Sequence, residues 1–388
     1  MDDPANEAVF ISEPNANAIE RVRRVLYHPP KPDQAAVHPV ARDFDVAARR
    51  AEAVAGVARN VRQLGFKPDV IIGHHGWGEL LELCDVFPDV PMLGYFEFYY
   101  SPHGQDVGYD PEFPTRETEY PRIRAMNIVN FLALALNQHG QTPTQWQLSR
   151  YPDWAQARIK LLPEGARLDV CKPDPKAHAA PLKIKDFTIG AKDKLVTYVA
   201  RNLEPYRGFH VMMRALPDLL RARPDLKVVM VGGDEVSYGA RLASGTWRQH
   251  FMGELAGKFD ASRVCFPGQV DYDTYLKLLQ RTDAHVYLSY PFVPSWSLRE
   301  AMAIGCPIVA ADVEPVREFI TDGKTGLIVP GLDPKAVATR VLEVMEDAKL
   351  ARKLRTAARR HAEEHLDMNT HIAAYETRIR EIVGAPNG

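Results

Sequence analysis

Strand-like apolar runs alternate with amphipathic helical stretches along almost the whole chain, and no other feature restricts its fold as strongly. That alternation is the mark of a parallel sheet covered by helices, an α/β fold. In the first half it predicts strands over residues 8–12, 70–73, 91–95 and 133–137, and a helix of roughly 20 residues over 46–64. A long loop rich in Pro, Gly, Asp and aromatics, 99–121, interrupts the series, and loops of that length in compact domains usually carry function. Residues 173–185, with repeated Pro, Lys and Ala, read as a linker. A second series follows: strands over 195–200, 227–232, 264–267, 284–288 and 307–310, and helices over 208–222, 238–259, 273–281, 297–304, 315–321 and 334–347. The charged tail from 350 to 383 reads as helix broken near Asp367, long enough to cross back to the first half. The 388 residues exceed one typical core. The expected division is 1–172, 186–347 and 348–388.

Bulk properties exclude several classes. A formal net charge of −2 excludes a general nucleic-acid binder. The four cysteines, Cys84, Cys171, Cys265 and Cys306, are scattered without a C-x-x-C pair. They read as reduced thiols of a cytoplasmic protein, with neither a disulfide framework nor a metal site. The acidic start Met1-Asp2-Asp3-Pro4 is unlike a signal peptide. The longest apolar run, 129–136, is far short of the ~20 residues of a membrane span and contains Asn130. Neither G-x-G-x-x-G nor a P-loop is present, so dinucleotide and ATP chemistry are not supported and no cofactor is expected.

Two segments carry the chemistry. Ser295-Trp-Ser-Leu-Arg-Glu-Ala-Met-Ala-Ile-Gly-Cys-Pro-Ile-Val-Ala310 reads as a loop, a helix, a Gly305/Pro307 break and a buried strand. Its helix start leaves backbone N–H groups free for an anion such as a phosphate, and Glu300, one turn in, can accept from ligand hydroxyls. An ordinary loop-helix-strand unit with a solvated Glu fits the same residues. The second segment is Arg201-Asn-Leu-Glu-Pro-Tyr-Arg207-Gly208, between a strand and a helix. Its two guanidiniums form a diphosphate clamp that needs no metal, at the strand ends where open α/β sheets bind ligands. Two surface arginines in a capping loop are the bland alternative.

Together these segments bring a family into view. V-A-R-N-L-E-P-Y-R-G-F resembles the phosphate-gripping turn of the family 4 retaining glycosyltransferases. S-L-R-E-A-M-A-I-G-C-P-I-V-A-A-D and E-P-V-R-E-F-I-T-D-G-K-T-G-L-I-V-P are similar to that family's second donor signature. The resemblance implies the GT-B architecture, two Rossmann-like domains facing across a cleft, with a nucleotide-sugar bound mainly by the second. It implies Arg201, Arg207 and Gly208 on the donor diphosphate, with Arg207 where lysine is usual. It further implies Glu300 on the ribose hydroxyls, the backbone of Ser295, Trp296, Ser297 and Leu298 on phosphate, and Gly268, Gln269 and Val270 beside the base.

The chain departs from the family in two places. Eight residues before Glu300, where the family carries an acid toward the donor sugar, stands Phe292, flanked by Pro291 and Val293. The predicted first strand, 8–12, also corresponds to the family's second, so the N-terminal domain is expected to lack its opening strand-helix unit and to leave sheet edges unpaired.

In the first half, His74 and His75 end a strand, and His74 matches the histidine many relatives carry there. Two turn histidines satisfied by backbone are the alternative. Glu97, among Phe96, Phe98, Tyr99 and Tyr100, stands where relatives present a histidine near the reacting centre. Burial between Phe96 and Phe98 is expected to disfavour its anion unless it is paired. The basic helix with Arg49, Arg50, Arg59 and Arg62 offers peripheral membrane contact or simply a solvated face.

The expected activity is metal-independent, retaining transfer of a sugar from a nucleotide-diphosphate sugar to a sugar or lipid-linked acceptor, in polysaccharide or glycoconjugate synthesis. The catalytic candidates are His74, Glu97, Arg201 and Arg207. A GT-B nucleotide-sugar epimerase and a non-catalytic nucleotide-sugar-binding partner subunit remain as alternatives.

Overall fold

The computed structural model describes residues 6–15, 19–20, 22–29, 31, 36–136 and 138–384. The acidic opening Met1–Pro4 and Asn137, the end of one predicted strand, lie outside them. The chain packs as two units, one of residues 1–108, 113–163 and 373–388, the other of 109–112 and 164–372. The second unit thus contains a four-residue piece of the long loop of the first half.

In the first unit the order is β1 (Val9–Ser12), β2 (Arg23–Leu26), α1 (Arg42–Gln63), β3 (Ile71–His74), α2 (Leu83–Val86) and β4 (Met92–Tyr95). It continues with α3 (Tyr120–Ala125), α4 (Ile128–Ala135), β5 (His139–Thr142), α5 (Gln145–Arg150), α6 (Asp153–Gln156) and β6 (Ile159–Leu161). Strands β3-β4-β5-β6 form one parallel sheet in that order. β1 and β2 form a separate parallel pair, so β1 and β3 each keep a lateral edge with no strand partner among the described residues. Helix α1 forms because Ala47, Ala51, Val54, Ala55, Ala58 and Val61 repeat at helical spacing and bury one stripe. Val54, Ala55 and Ala58 pack with Tyr27, Leu80, Leu83, Val86 and Met92.

The strand predicted over 133–137 is helix: residues 128–135 form α4, and the strand follows at His139–Thr142. An apolar run of eight residues does not distinguish buried helix from buried strand. The strand itself reads His-Gly-Gln-Thr, too polar to be seen as one. Its interior place between β4 and β6 suits small side chains, since a Cβ on Gly140 would stand 2.7 Å from Ile159 and 3.1 Å from Phe96. The basic face of α1 is largely committed internally. Arg49 pairs with Asp45, Arg50 with Glu13, and Arg62 donates to the Val86 carbonyl.

The second unit opens with a hairpin, β7 (Leu182–Ile184) and β8 (Phe187–Ile189), where the linker was expected to end. Then come β9 (Lys194–Asn202), α7 (Phe209–Ala222), β10 (Leu226–Gly233), α8 (Trp247–Glu254), β11 (Val264–Gly268), α9 (Tyr272–Arg281) and β12 (Ala284–Tyr287). α10 (Trp296–Ile304), β13 (Ile308–Ala311), α11 (Glu314–Arg317), β14 (Leu327–Val329), α12 (Pro334–Glu346), α13 (Ala348–His365) and α14 (Met368–Gly384) complete the order. The sheet runs β11-β10-β9-β12-β13-β14, all parallel. The order reverses beside β9, the place where such sheets bind ligands. Leu195, Val196, Thr197 and Tyr198 of β9 are fully buried, as a central strand covered on both faces requires. Helix α7 buries Phe209, Val211, Met212, Ala215, Leu216 and Leu219, each large apolar side chain contributing roughly 1.5–3 kcal/mol.

The long helix predicted over 238–259 is only α8. Residues 234–246 form a loop, and the Thr246–Gln249 capping box starts the helix. The break expected near Asp367 is present between α13 and α14. All four cysteines are free thiols, and among the described residues no helix is long and apolar enough to cross a membrane.

Two interior histidines make acid stability predictable. His75 and His285 are fully enclosed, and burial holds each ring's pKa down at about 4. In the unfolded chain each titrates near 6.5. Above that pH both states are neutral and nothing changes. Below it the unfolded state takes up protons that the fold refuses, so stability falls from about pH 6.5 down to about pH 4. The loss approaches roughly 3 kcal/mol per histidine. Melting temperatures of the wild type and of His285→Gln across pH 7 to 4 check this. The variant is expected to show the shallower fall, and parallel curves would exclude His285 as a contributor.

Candidate active site

The candidate donor residues of the second unit lie at or just after the carboxyl ends of parallel strands. After β9 the chain makes a 3-10 turn, Pro205–Arg207, and Gly208 caps α7 with φ +72°. A Cβ at Gly208 would stand 2.3 Å from the Cβ of Leu288, so only glycine lets the helix start lie this close to the end of β12. No side chain caps the first amides of α7, although the Phe209 N–H donates to the Glu204 carbonyl at 3.4 Å, so the positive end of the helix carries no carboxylate cap.

Arg207 of this turn and Arg201, near the end of β9, differ from most others in the chain. Arg214, Arg223, Arg248 and Arg317 each hold a carboxylate, whereas neither Arg201 nor Arg207 forms an ion pair with the described residues. Arg201 is exposed. Arg207 donates to Ser289 Oγ at 3.1 Å, and its guanidinium lies 5.0 Å from the Tyr238 ring and 5.5 Å from Phe292. The acid in the same turn, Glu204, is fully buried and turned to the backbone N–H groups of Ser237, Tyr238 and Gly239 at 3.0, 3.3 and 2.9 Å. The positive charge of Arg207 is therefore not neutralised by Glu204.

At α10, Ser295 stands at the N-cap without a side-chain cap bond, and its own N–H donates to Tyr287 Oη at 2.9 Å. Ser297 Oγ lies 2.7 Å from Ser295 Oγ. The Leu298 N–H is engaged by the Ser295 carbonyl, so it is not free for phosphate as the resemblance implied. Trp296 is largely exposed and donates its indole N–H to Glu164. Glu300 accepts from Tyr272 Oη and Tyr275 Oη, both at 2.7 Å. These two phenols orient the carboxylate, and burial first raises both their pKa values, followed by the bond with Cys171 and then that with Glu300 for Tyr272, and by the Glu300 charge for Tyr275. Gly268 ends β11 with φ +75°, Gln269 is exposed, and Val270 packs against the core below the sheet edge.

Phe292 is buried against Tyr206 and Tyr238, with ring centroids 5.3 and 4.8 Å away. Its neighbour Tyr290 donates to Asp110 at 2.6 Å, and Asp110 also meets His210 Nε2 at 3.0 Å. Burial opposes ionisation of Asp110, but these bonds and the Glu112 N–H outweigh it and lower its pKa. Asp110, Glu112 and His210 form a trio of metal-ligand type. Each acid already has a protein partner, Glu112 through two bonds of 2.6 and 2.7 Å from Arg214. The trio thus works as a partly buried hydrogen-bonded network that fastens Tyr109–Glu112 beside the start of α7.

In the first unit His74 and Glu97 follow the ends of neighbouring strands β3 and β4, and His74 Nε2 lies 3.1 Å from Glu97 Oε2. Both are about one-third exposed, 30% and 35%, so the expected burial of Glu97 does not occur. Phe96 and Phe98 point inward while Glu97 points out with its histidine partner. His75 is a core histidine: its Nε2 bonds the Val129 carbonyl and its ring stacks on Phe96.

Sequence reading missed Glu204, Tyr238, Ser289, Tyr272, Tyr275 and Asp110. The i, i+3 pair Tyr272/Tyr275 at a helix start was a usable signal. Nothing in the sequence links Asp110 to His210, a hundred residues away.

Two parallel α/β units with an unneutralised cationic turn at a helix start define a GT-B protein, and solved structures share that fold. Sucrose-phosphate synthase from Thermosynechococcus elongatus superposes with a TM-score of 0.71 at 18% identity, over 95% of this chain and 86% of that one. Anabaena HepE in complex with UDP-glucose gives 0.67 at 14% identity, over 97% and 100%. Residues 4–171 match the glycosyl transferase family 4 group and residues 181–361 the glycosyl transferases group 1. The chain belongs to the family 4 glycosyltransferases. It is 26% identical over 253 residues to a D-inositol 3-phosphate glycosyltransferase of Streptomyces avermitilis, covering 64% of this chain and 52% of that protein. It is also 26% identical over 325 residues to a GDP-mannose-dependent alpha-(1-6)-phosphatidylinositol monomannoside mannosyltransferase of Mycolicibacterium smegmatis, covering 78% and 76%. The chain thus spans about half the length of the first of these relatives.

Proposed function

We propose that this protein is a retaining glycosyltransferase that needs no metal and moves a sugar from a nucleoside-diphosphate sugar to an acceptor hydroxyl in glycoconjugate synthesis. One observation carries the reading: Arg207, at the start of α7, and Arg201, near the end of the preceding strand β9, both lack a carboxylate partner among the described residues. Charges fixed there stabilise the diphosphate as the bond between the anomeric carbon and its oxygen breaks. The acceptor oxygen attacks the anomeric carbon on the face the diphosphate leaves, and its proton passes to the departing phosphate oxygen. Glu300, oriented by two tyrosines, takes the ribose hydroxyls.

His74 and Glu97 act on the acceptor side, where the paired carboxylate orients the attacking hydroxyl. Glu97→Gln is expected to lower turnover about tenfold to a hundredfold while leaving donor affinity unchanged. Equal losses of turnover and affinity would move Glu97 to the donor site. The inositol phosphates and phosphatidylinositol mannosides in the relatives' names make polyol and lipid-linked acceptors the first to assay, at a cytoplasmic membrane face.

Calorimetric titration with UDP-, GDP- and ADP-sugars tests the donor reading. One nucleotide is expected to bind, and its sugar to be transferred. Binding without transfer or hydrolysis would favour the non-catalytic partner subunit, for which Phe292 in the acid's place speaks. Conversion of the donor sugar without an acceptor would favour the epimerase.

A further inference from the structure

Arg207 is held by rings rather than by an acid. Tyr238 and Phe292 flank its guanidinium at 5.0 and 5.5 Å from their ring centroids, and the two rings touch each other at 4.8 Å. Tyr206 lies on the far side of Tyr238 in a stacked arrangement, 5.4 Å between centroids with 29° between planes. Aromatic faces orient a guanidinium without cancelling its charge, which an ion pair cannot do. Tyr206 belongs to the 3-10 turn before α7, and Phe292 to the loop between β12 and α10. Tyr238 sits in the loop between β10 and α8, which has no secondary structure of its own over 234–246.

Glu204 supplies the rigidity that loop lacks. Its carboxylate, with no exposure to solvent, receives three consecutive backbone N–H groups, those of Ser237, Tyr238 and Gly239. Asn202 adds a bond of 2.7 Å to Ser237 Oγ. The segment from Arg201 to Gly208, which carries both arginines, thus also grips the loop that orients one of them. The Tyr238 hydroxyl makes no hydrogen bond to the described residues, and the side chain is 41% exposed, so its ring is what the fold uses.

We propose that Tyr238, fixed in place by Glu204, is the positioning residue that sets the Arg207 guanidinium for the donor diphosphate. This rests on the reading of Arg207 as a diphosphate ligand. The ring, not the hydroxyl, carries the effect, and Arg207 carries it to the ligand.

The test measures inorganic pyrophosphate and UDP binding by calorimetry, together with the order of the Arg207 Nε–H group by NMR in the ligand-free protein. Tyr238→Leu is expected to weaken binding about fivefold to thirtyfold and to loosen Arg207. Tyr238→Phe is expected to restore both to the wild-type range. In an Arg207→Ala background, Tyr238→Leu is expected to have no further effect. Additive losses, or unchanged affinity in Tyr238→Leu where Arg207→Ala binds weakly, would overturn the proposal. Failure of the wild type to bind either ligand would sink the diphosphate reading instead. Arg207 ordering then still decides the positioning, since equal order in wild type and Tyr238→Leu removes it. Glu204→Gln, which keeps one acceptor oxygen, is expected to reproduce a milder form of Tyr238→Leu; wild-type affinity and Arg207 order in that variant would remove Glu204 from the proposal.

Discussion

The double variant Arg201→Ala/Arg207→Ala is expected to bind the donor nucleotide at least about a hundredfold more weakly than the wild type, with its fold intact. Charge-assisted hydrogen bonds contribute roughly 1.5–3 kcal/mol each. Arg201 is exposed, which puts its share at the low end through solvent screening. The pair together then supplies about 3 kcal/mol, or two orders of magnitude in affinity. Neither guanidinium neutralises an acid among the described residues, so removing both leaves no buried charge behind there. A melting temperature close to the wild type's is therefore part of the expectation. Raising the salt concentration should weaken the wild type and leave the variant nearly unaffected. Retention of binding within threefold would remove the clamp from the mechanism.

The second large effect belongs to Gly208. Gly208→Ala places a Cβ in a left-handed conformation, at a cost of about 1–2 kcal/mol, and drives it to 2.3 Å from the Leu288 Cβ. Relief of that overlap separates α7 from the end of β12 and adds roughly 1–3 kcal/mol. A loss near 3 kcal/mol corresponds to a fall in melting temperature of roughly 6–12 °C for a unit of this size. Gly323 is the control, with φ +68° and open space where a Cβ would go. Gly323→Ala is expected to show the conformational part alone. Equal destabilisation by the two substitutions would mean that the contact with Leu288 has no weight. Because the overlap lies beside the Pro205–Arg207 turn, Gly208→Ala should also weaken donor binding at temperatures where the protein is folded.

The contrast between what could and could not be read from the chain is sharpest around α7. The apolar run before Arg201 and the spaced apolar residues after Gly208 announce strand, turn and helix, because burial of one face imposes a period that survives in sequence. The same logic misplaced β5, whose His-Gly-Gln-Thr has no apolar pattern. That strand is defined by pairing on both edges with β4 and β6, which is a property of its neighbours. It also overextended α8, since residues 238–246 have no pattern that tells helix from a loop pinned by a distant acid.

At the site the divide is similar. His74 and Glu97 were each visible at the end of a strand, but their 3.1 Å contact arises from the register of β3 against β4. Glu97 lies among aromatic residues in the chain yet stands outside them in space, because alternate residues leave a strand end on opposite faces. Tyr290 and Asp110 are 180 residues apart and share a hydrogen bond that no local rule announces.

The sequence by itself determined the α/β class, the two-part organisation, the family and the cationic turn at Arg201–Gly208. Each of these depends on local periodicity or on contiguous residues whose chemistry acts together. Tertiary structure alone decided which charges are spent inside the protein and which remain for a ligand. Glu204 is three residues from Arg207 but is consumed by the backbone of another loop, while Tyr238 and Phe292 converge on Arg207 from two separate loops. Whether a guanidinium is neutralised depends on what lies within a few ångströms of it, and only the folded chain brings those groups together.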